Sequence, residues 1–157
     1  RNVTASLDAL TTAYGDLRVS TVFESEAVGF RGDPFYNLVV GLETVETVGS
    51  LAEFLGKIEH DCGRRRDAPR FSSRSMDLDL LTYEDVVGVV DGVSLPRDGI
   101  AENAFVLGPL AEIAGAELHP TLRTSYADLW RRFDVGKRGL RPVDFTWGGA
   151  RIPRPRT

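Results

Sequence analysis

Residues 64–83 read RRRDAPRFSSRSMDLDLLTY, and both the fold and the chemistry of the chain turn on this stretch. Arg64, Arg65, Arg66, Arg70 and Arg74 crowd the approach to Asp77 and Asp79, which alternate with Met76, Leu78 and Leu80. Alternation with period two marks a half-buried strand. It predicts a strand over 76–80 with both carboxylates on one face and the apolar side chains on the other. Two carboxylates so placed are hard oxygen donors for a divalent cation. Magnesium suits them, because it takes one or two protein carboxylates and completes its shell with water and phosphate oxygens. The neighbouring arginines supply planar, paired donors for phosphate. Together the two features predict a magnesium and polyphosphate site.

Each half has a plainer explanation. An arginine run is commonly a solvated loop, and Asp-x-Asp is commonly the wet face of an amphipathic sheet. Their adjacency in a chain of net charge −4 favours the joint function. That charge disfavours a general nucleic-acid surface, and only Phe71 offers the aromatic interleaving of a single-strand platform. The chain has 157 residues, 42% hydrophobic and 27% charged, which predicts one globular domain with one core. The single cysteine, Cys62, excludes an internal disulfide framework, and with His60 and His119 it makes no zinc set. No apolar run reaches membrane-spanning length and no signal peptide leads the chain, so a cytoplasmic protein without membrane contact is expected.

Outward from the central stretch, residues 50–62 place Leu51, Phe54, Leu55, Ile58 and Cys62 at helical spacing. Ser50-Leu51-Ala52-Glu53 reads as the capping box that starts this helix, and Gly63 closes it. Residues 2–14 predict an amphipathic helix through Val3, Leu7, Leu10 and Tyr14, capped by Asn2 and stopped at Gly15. Residues 18–25 (RVSTVFES) and 35–43 (FYNLVVGLE) predict one strand each. The loop between them, 26–34, is too long for a tight turn and suited to binding. Phe35 and Asn37 fall on one face of their strand, where an aromatic ring and a carboxamide could hold a flat heterocycle; core packing is the plainer role for Phe35. Residues 84–92 predict a turn with a short strand or hairpin. AFVLGPLAEIAG predicts a buried segment entering a short helix. Residues 126–133 predict a last helix capped by Thr124 or Ser125, with Leu129, Trp130 and Phe133 inward. Residues 135–157 read as a loosely packed tail in which only VDFTW resembles a strand. The order predicts an α+β fold of the ferredoxin-like kind, a mainly antiparallel sheet packed by helices.

The central stretch resembles the signature of the 6-hydroxymethyl-7,8-dihydropterin pyrophosphokinase family, roughly GR-x-R-x4-WGPR-x-LDLDLL-x-Y. VSTVFES, DPFYNLVVGLET, the Ile58, Glu59 and Gly63 spacing, and AFVLGPLAEIA follow in family order, so the likeness spans about residues 2–133. It implies transfer of diphosphate from ATP to the hydroxymethyl group of the pterin, giving AMP, with two magnesium ions. By position, Asp77 and Asp79 would hold the metal, and Arg64 and Arg74 would neutralise the transferred diphosphate. Arg66, Glu59 and Arg97 would contact ATP. Phe35 and Phe105 would sandwich the pterin, Asn37 would hydrogen-bond its edge, and the loop from Ser25 through Val28 to Gly29 would complete the pocket. The arginine loop would close over ATP. Small-molecule substrates, no nucleic acid, and a monomer or weak homo-oligomer are expected.

The pattern departs from the family at several positions. The family opens with a strand ending in Gly-Ser-Asn-x-Gly-Asp-Arg that has no counterpart here. The expectation is a cut or permuted chain, or residues 143–147 taking that place. Arg97 stands where the family has a histidine, Asn103 where it has an arginine, Phe71 for its tryptophan, and Ser72-Ser73 for Gly-Pro. Because Arg64, Arg74 and the acid pair survive, the resemblance implies retained activity, whether full or reduced. Two alternatives stay open: an idle relative kept as a nucleotide, pterin or partner module, and a transferase acting on a different hydroxyl.

Overall fold

The computed structural model describes residues 2–25, 35–63, 77–133, 141–143, 145–147 and 150–152, with the backbone alone at Asn2, Ser25, Phe35, Cys62, Thr146, Ala150, Arg151 and Ile152. Helix α1 (Asn2–Tyr14) follows the expected stripe: Leu7 and Leu10 are buried, and Val3 and Tyr14 are half-buried. It ends at Gly15, whose φ of +83° suits glycine and whose N–H reaches back to Thr11 O at 2.8 Å. Tyr14 then meets Phe54 edge to face at 5.5 Å and donates to Glu46 Oε1 at 2.9 Å. Burial and that carboxylate push its pKa up to about 12.

The two strands expected over 18–25 and 35–43 are each broken. The first becomes β1 (Arg18–Val19) and β2 (Val22–Ser25), the second β3 (Phe35–Asn37) and β4 (Val40–Gly41). Val19 pairs with Val40 and Phe23 with Asn37, so three residues face the two residues Leu38 and Val39, which is a bulge. Side chains hold it. Ser20 Oγ accepts from Val39 N and donates to Thr21 O, both at 2.8 Å, while Thr21 gives its N–H and its hydroxyl to Glu112 at 3.0 and 2.8 Å. Buried backbone groups thus find partners where the ladder stops.

Helix α2 (Val48–Gly63) begins earlier than the Ser50 capping box predicts. Thr47 is the cap, its Oγ1 accepting from Ser50 N at 3.1 Å, and Asp91 Oδ2 takes Gly49 N–H at 2.9 Å. The carboxylate meets the helix where its orphan N–H groups and dipole favour negative charge. Asp91 belongs to the tight turn of the expected hairpin, β5 (Gly88–Val90) with β6 (Val93–Leu95), where Asp91 and Gly92 both have positive φ. A cis peptide joins Leu95 to Pro96, and a 3₁₀ turn follows at Ile100–Glu102.

Helix α3 (Ala104–Ala114) is a full helix that runs through buried Pro109, and α4 (Tyr126–Arg132) packs on it, capped by Ser125 Oγ on Asp128 N at 3.1 Å. Val39, Ile100, Leu107, Leu110, Ala114 and Tyr126 form the core, with Leu129, Trp130 and Phe133 packed against it. Burial of such side chains, each worth about 1.5–3 kcal/mol, holds α3 to the sheet.

Beyond α4, three short strands replace the one expected from VDFTW: β7 (Arg141–Val143), β8 (Phe145–Trp147) and β9 (Ala150–Ile152). β7 adds antiparallel to β2, giving the order β3-β2-β7, with Arg141 facing Glu24 across the ladder at 3.5 Å. β8 pairs with β9, and Trp147 Nε1 donates to Asp8 on α1 at 2.8 Å. Residues 143–147 are therefore divided between two sheets. Val143 closes β7 on the edge of β2 and Phe145 opens a separate hairpin. Four helices with small antiparallel sheets among the described residues make the chain α+β, as expected. No helix among the described residues is long and apolar enough to cross a membrane.

Candidate functional site

Exposure alternates along residues 77–80: Asp77 and Asp79 are exposed, Leu78 and Leu80 half-buried. The expected period holds, and it puts both carboxylates on the solvent side of an extended segment. The expected ladder does not hold. Among the described residues 77–80 pair with no strand. Side-chain and single backbone bonds position the segment instead. Glu59, on the last turns of α2, accepts Leu78 N–H between the two aspartates, and Arg97 N–H donates to Leu81 O at 2.8 Å. The Tyr83 hydroxyl donates to Glu46 O ahead of α2, so the acid-bearing segment and the chain just after it are tied to opposite ends of that helix.

Arg97 also reaches the acid pair directly, Nη1 lying 3.4 Å from Asp79 Oδ1, with the two side chains 51% and 44% exposed. Among the described residues no third His, Cys, Asp or Glu joins Asp77 and Asp79. Two exposed carboxylates fit a hard divalent cation that draws its other ligands from water and phosphate, and fit poorly a metal that needs a full protein cage.

Arg97 lines a cleft of about 490 Å³ together with Leu81, Asn103, Phe105 and Phe133, a size that suits a small heterocyclic ligand. Phe105 is placed there by the start of α3, where Asn103 Oδ1 accepts Phe105 N–H at 2.9 Å as the helix cap. Asn103 thus has a structural task at the position where the family pattern has arginine. Asparagine just ahead of an apolar helical run is a legible cap signal that the motif comparison passed over. Phe133 was expected only in the core, and nothing in its spacing marks it for the cleft.

The β2 and β3 register pairs Ser25 with Phe35 and Phe23 with Asn37, which places Ser25, Phe35 and Asn37 on one sheet face, opposite Glu24 and Tyr36. Asn37 is half-buried and Tyr36 is 52% exposed. Arg97 and Phe105 line the cleft, Asp79 meets it only through its ion pair with Arg97, and Glu59 is joined to the acid-bearing segment. Asn37 is not among the cleft's lining residues. Val28, Arg64, Arg66 and Arg74, with Arg65, Arg70 and the rest of the arginine loop, lie outside the described residues.

An acid pair, one member of which is ion-paired to a guanidinium at the edge of a ligand-sized cleft, is the candidate site of this α+β chain. The chain belongs to the 7,8-dihydro-6-hydroxymethylpterin-pyrophosphokinase family, whose model it matches over residues 1–115. Among its relatives is the 2-amino-4-hydroxy-6-hydroxymethyldihydropteridine pyrophosphokinase of Bacillus subtilis, 33% identical over 97 residues, which are 61% of this chain and 58% of that protein. The enzyme of the same name from Aquifex aeolicus is 31% identical over 107 residues, 68% of this chain and 66% of the other. A folate synthesis bifunctional protein of Arabidopsis thaliana is 34% identical over 101 residues, 64% of this chain and 21% of that protein. The chain spans less than two thirds of the length of each of the three.

Proposed function

We propose that this chain transfers the terminal diphosphate of ATP to the hydroxymethyl oxygen of 6-hydroxymethyl-7,8-dihydropterin, releasing AMP, in the cytoplasmic synthesis of folate. The observation that carries this reading is the exposure of Asp77 and Asp79 on one side of the segment they share, with Arg97 linking Asp79 to the cleft that Phe105 lines. The names of the relatives support the same chemistry. Asp77 and Asp79 are the residues that would hold two magnesium ions, which supply neutralisation of phosphate charge when bound.

Phe105 and Phe35 stack on the pterin and Asn37 hydrogen-bonds its edge, which orients the hydroxymethyl group. Arg64, Arg66, Arg74 and Arg97 hold the phosphates in line. The pterin hydroxyl attacks the β-phosphorus, the bond to the α-phosphate oxygen breaks, AMP leaves, and the hydroxyl proton passes to water. No side chain acts as nucleophile, so the protein's work is positioning and charge stabilisation. A coupled assay of AMP release tests the reaction: release that requires both ATP and the dihydropterin is the expected result. ATP and pterin binding without AMP release would instead define an idle binding module. Phe35→Ala is expected to weaken pterin binding and spare ATP binding, and equal loss of both would contradict the pterin pocket.

A further inference from the structure

Arg97 rests on one of the two carboxylates assigned above to the metal, and it does so at the edge of the cleft. We propose that Arg97 is a placeholder for the divalent cation: it neutralises Asp79 while no metal is bound, and its guanidinium moves to the phosphates of the nucleotide when the metal arrives. This inference rests on the metal reading of Asp77 and Asp79.

Three features carry it. The backbone N–H of Arg97 donates to Leu81 O at 2.8 Å, which fixes the residue beside the end of the acid-bearing segment whatever its side chain does. The ion pair itself is half-exposed and 3.4 Å long, so it is weak and reversible, worth about a fivefold factor or less in an equilibrium. Arg97 also lines the same cleft as Phe105, so a guanidinium released from Asp79 stays within reach of a ligand there.

The electrostatics follow from the geometry. Two carboxylates on one side of an extended segment repel each other, and a neighbouring guanidinium relieves that repulsion as a cation would. A divalent ion on Asp79 reverses the situation, because it repels Arg97 and brings anionic phosphate oxygens with it. The planar fork of arginine pairs with carboxylate or with phosphate in the same geometry, so one side chain serves both states. Metal alone must displace Arg97, whereas metal with nucleotide gives Arg97 a new partner.

Titration with Mn²⁺, followed by electron paramagnetic resonance of the free ion, tests this, first alone and then with a non-hydrolysable ATP analogue. In Arg97→Ala, Mn²⁺ alone is expected to bind about two- to fivefold tighter than in the unaltered chain, while the analogue in the presence of Mn²⁺ binds about five- to twentyfold weaker. Arg97→Leu, which keeps side-chain bulk but carries neither charge nor a metal donor, is expected to match Arg97→Ala for the metal alone. Opposite signs in the two arms cannot come from a misfolded fraction, which would weaken both. Equal or weaker Mn²⁺ binding by Arg97→Ala, with clear binding by the unaltered chain, overturns the placeholder and leaves the metal site standing. No Mn²⁺ binding by the unaltered chain overturns both.

Discussion

Replacing Asp77 or Asp79 with asparagine keeps the size of the side chain and removes the charge that a hard cation needs. Both side chains are exposed, so the fold should tolerate either change. AMP release is expected to fall by roughly 100-fold or more in each variant, the scale of losing one preorganised charge-stabilising group, with the melting temperature little altered. Steady-state assays beside thermal melts check this. Phe105→Ala should weaken the dihydropterin by roughly 5- to 150-fold, the value of one aromatic stack at about 1–3 kcal/mol, and leave ATP affinity within about twofold; isothermal titration with each ligand reads both. The acid pair was legible in the sequence because alternation is a local property of extended backbone. The contact between Asp79 and Arg97 was not legible, since it depends on the path between them through the β5 and β6 hairpin.

At the scale of elements, the bulge between β1 and β2 shows how side chains override a continuous strand pattern. VSTVF reads as one β-branched run, yet Ser20 is fully buried and uses its hydroxyl twice, on Val39 N and Thr21 O. Ser20→Ala would strand both backbone groups, and a loss of about 1–3 kcal/mol in urea unfolding is expected. The α2 start misled in a related way. Thr47 and Ser50 are both fit to cap, and the choice was made by Asp91, from a hairpin distant in sequence, on Gly49 N. At the other end of α2, Glu59 holds Leu78 N–H. Glu59→Gln trades a charged acceptor for a neutral one, worth about 1 kcal/mol, so Mg²⁺-dependent binding of an ATP analogue should weaken about fivefold. Unchanged affinity in that titration would show that Glu59 does not position the acid pair.

Across the whole molecule, the helix, strand, strand, helix order and the apolar stripes of α1, α2 and α4 were legible because each is set by local periodicity. β7, β8 and β9 were poorly legible, since their Gly-, Pro- and Arg-rich surroundings carry little pattern and β7 depends on a partner near the other end of the chain. Stability as a function of pH belongs to this scale too. His119 is buried, and its Nδ1 accepts from Thr121 N and Leu122 N at 3.2 and 3.1 Å, so the folded chain needs a neutral ring. Burial holds its pKa below the ordinary 6.5, with Glu102 opposing that shift. Below pH 6.5 the unfolded chain gains a proton that the folded chain does not. Stability is therefore fully present above that pH and is lost as pH falls, by at most about 1.4 kcal/mol per pH unit. Denaturation midpoints at pH 7.5, 6.5 and 5.5 check this, the drop being expected in the last interval.

The central claim is that Asp77 and Asp79 together hold a divalent cation for a nucleotide's phosphates. Calorimetric titration of a non-hydrolysable ATP analogue with and without magnesium, on the unaltered chain and on Asp77→Ala and Asp79→Ala, tests it most directly. The account predicts that magnesium strengthens binding to the unaltered chain at least about tenfold and that either substitution removes that gain, a difference of about 1.4 kcal/mol or more. Magnesium-dependent binding that survives in both variants would contradict it.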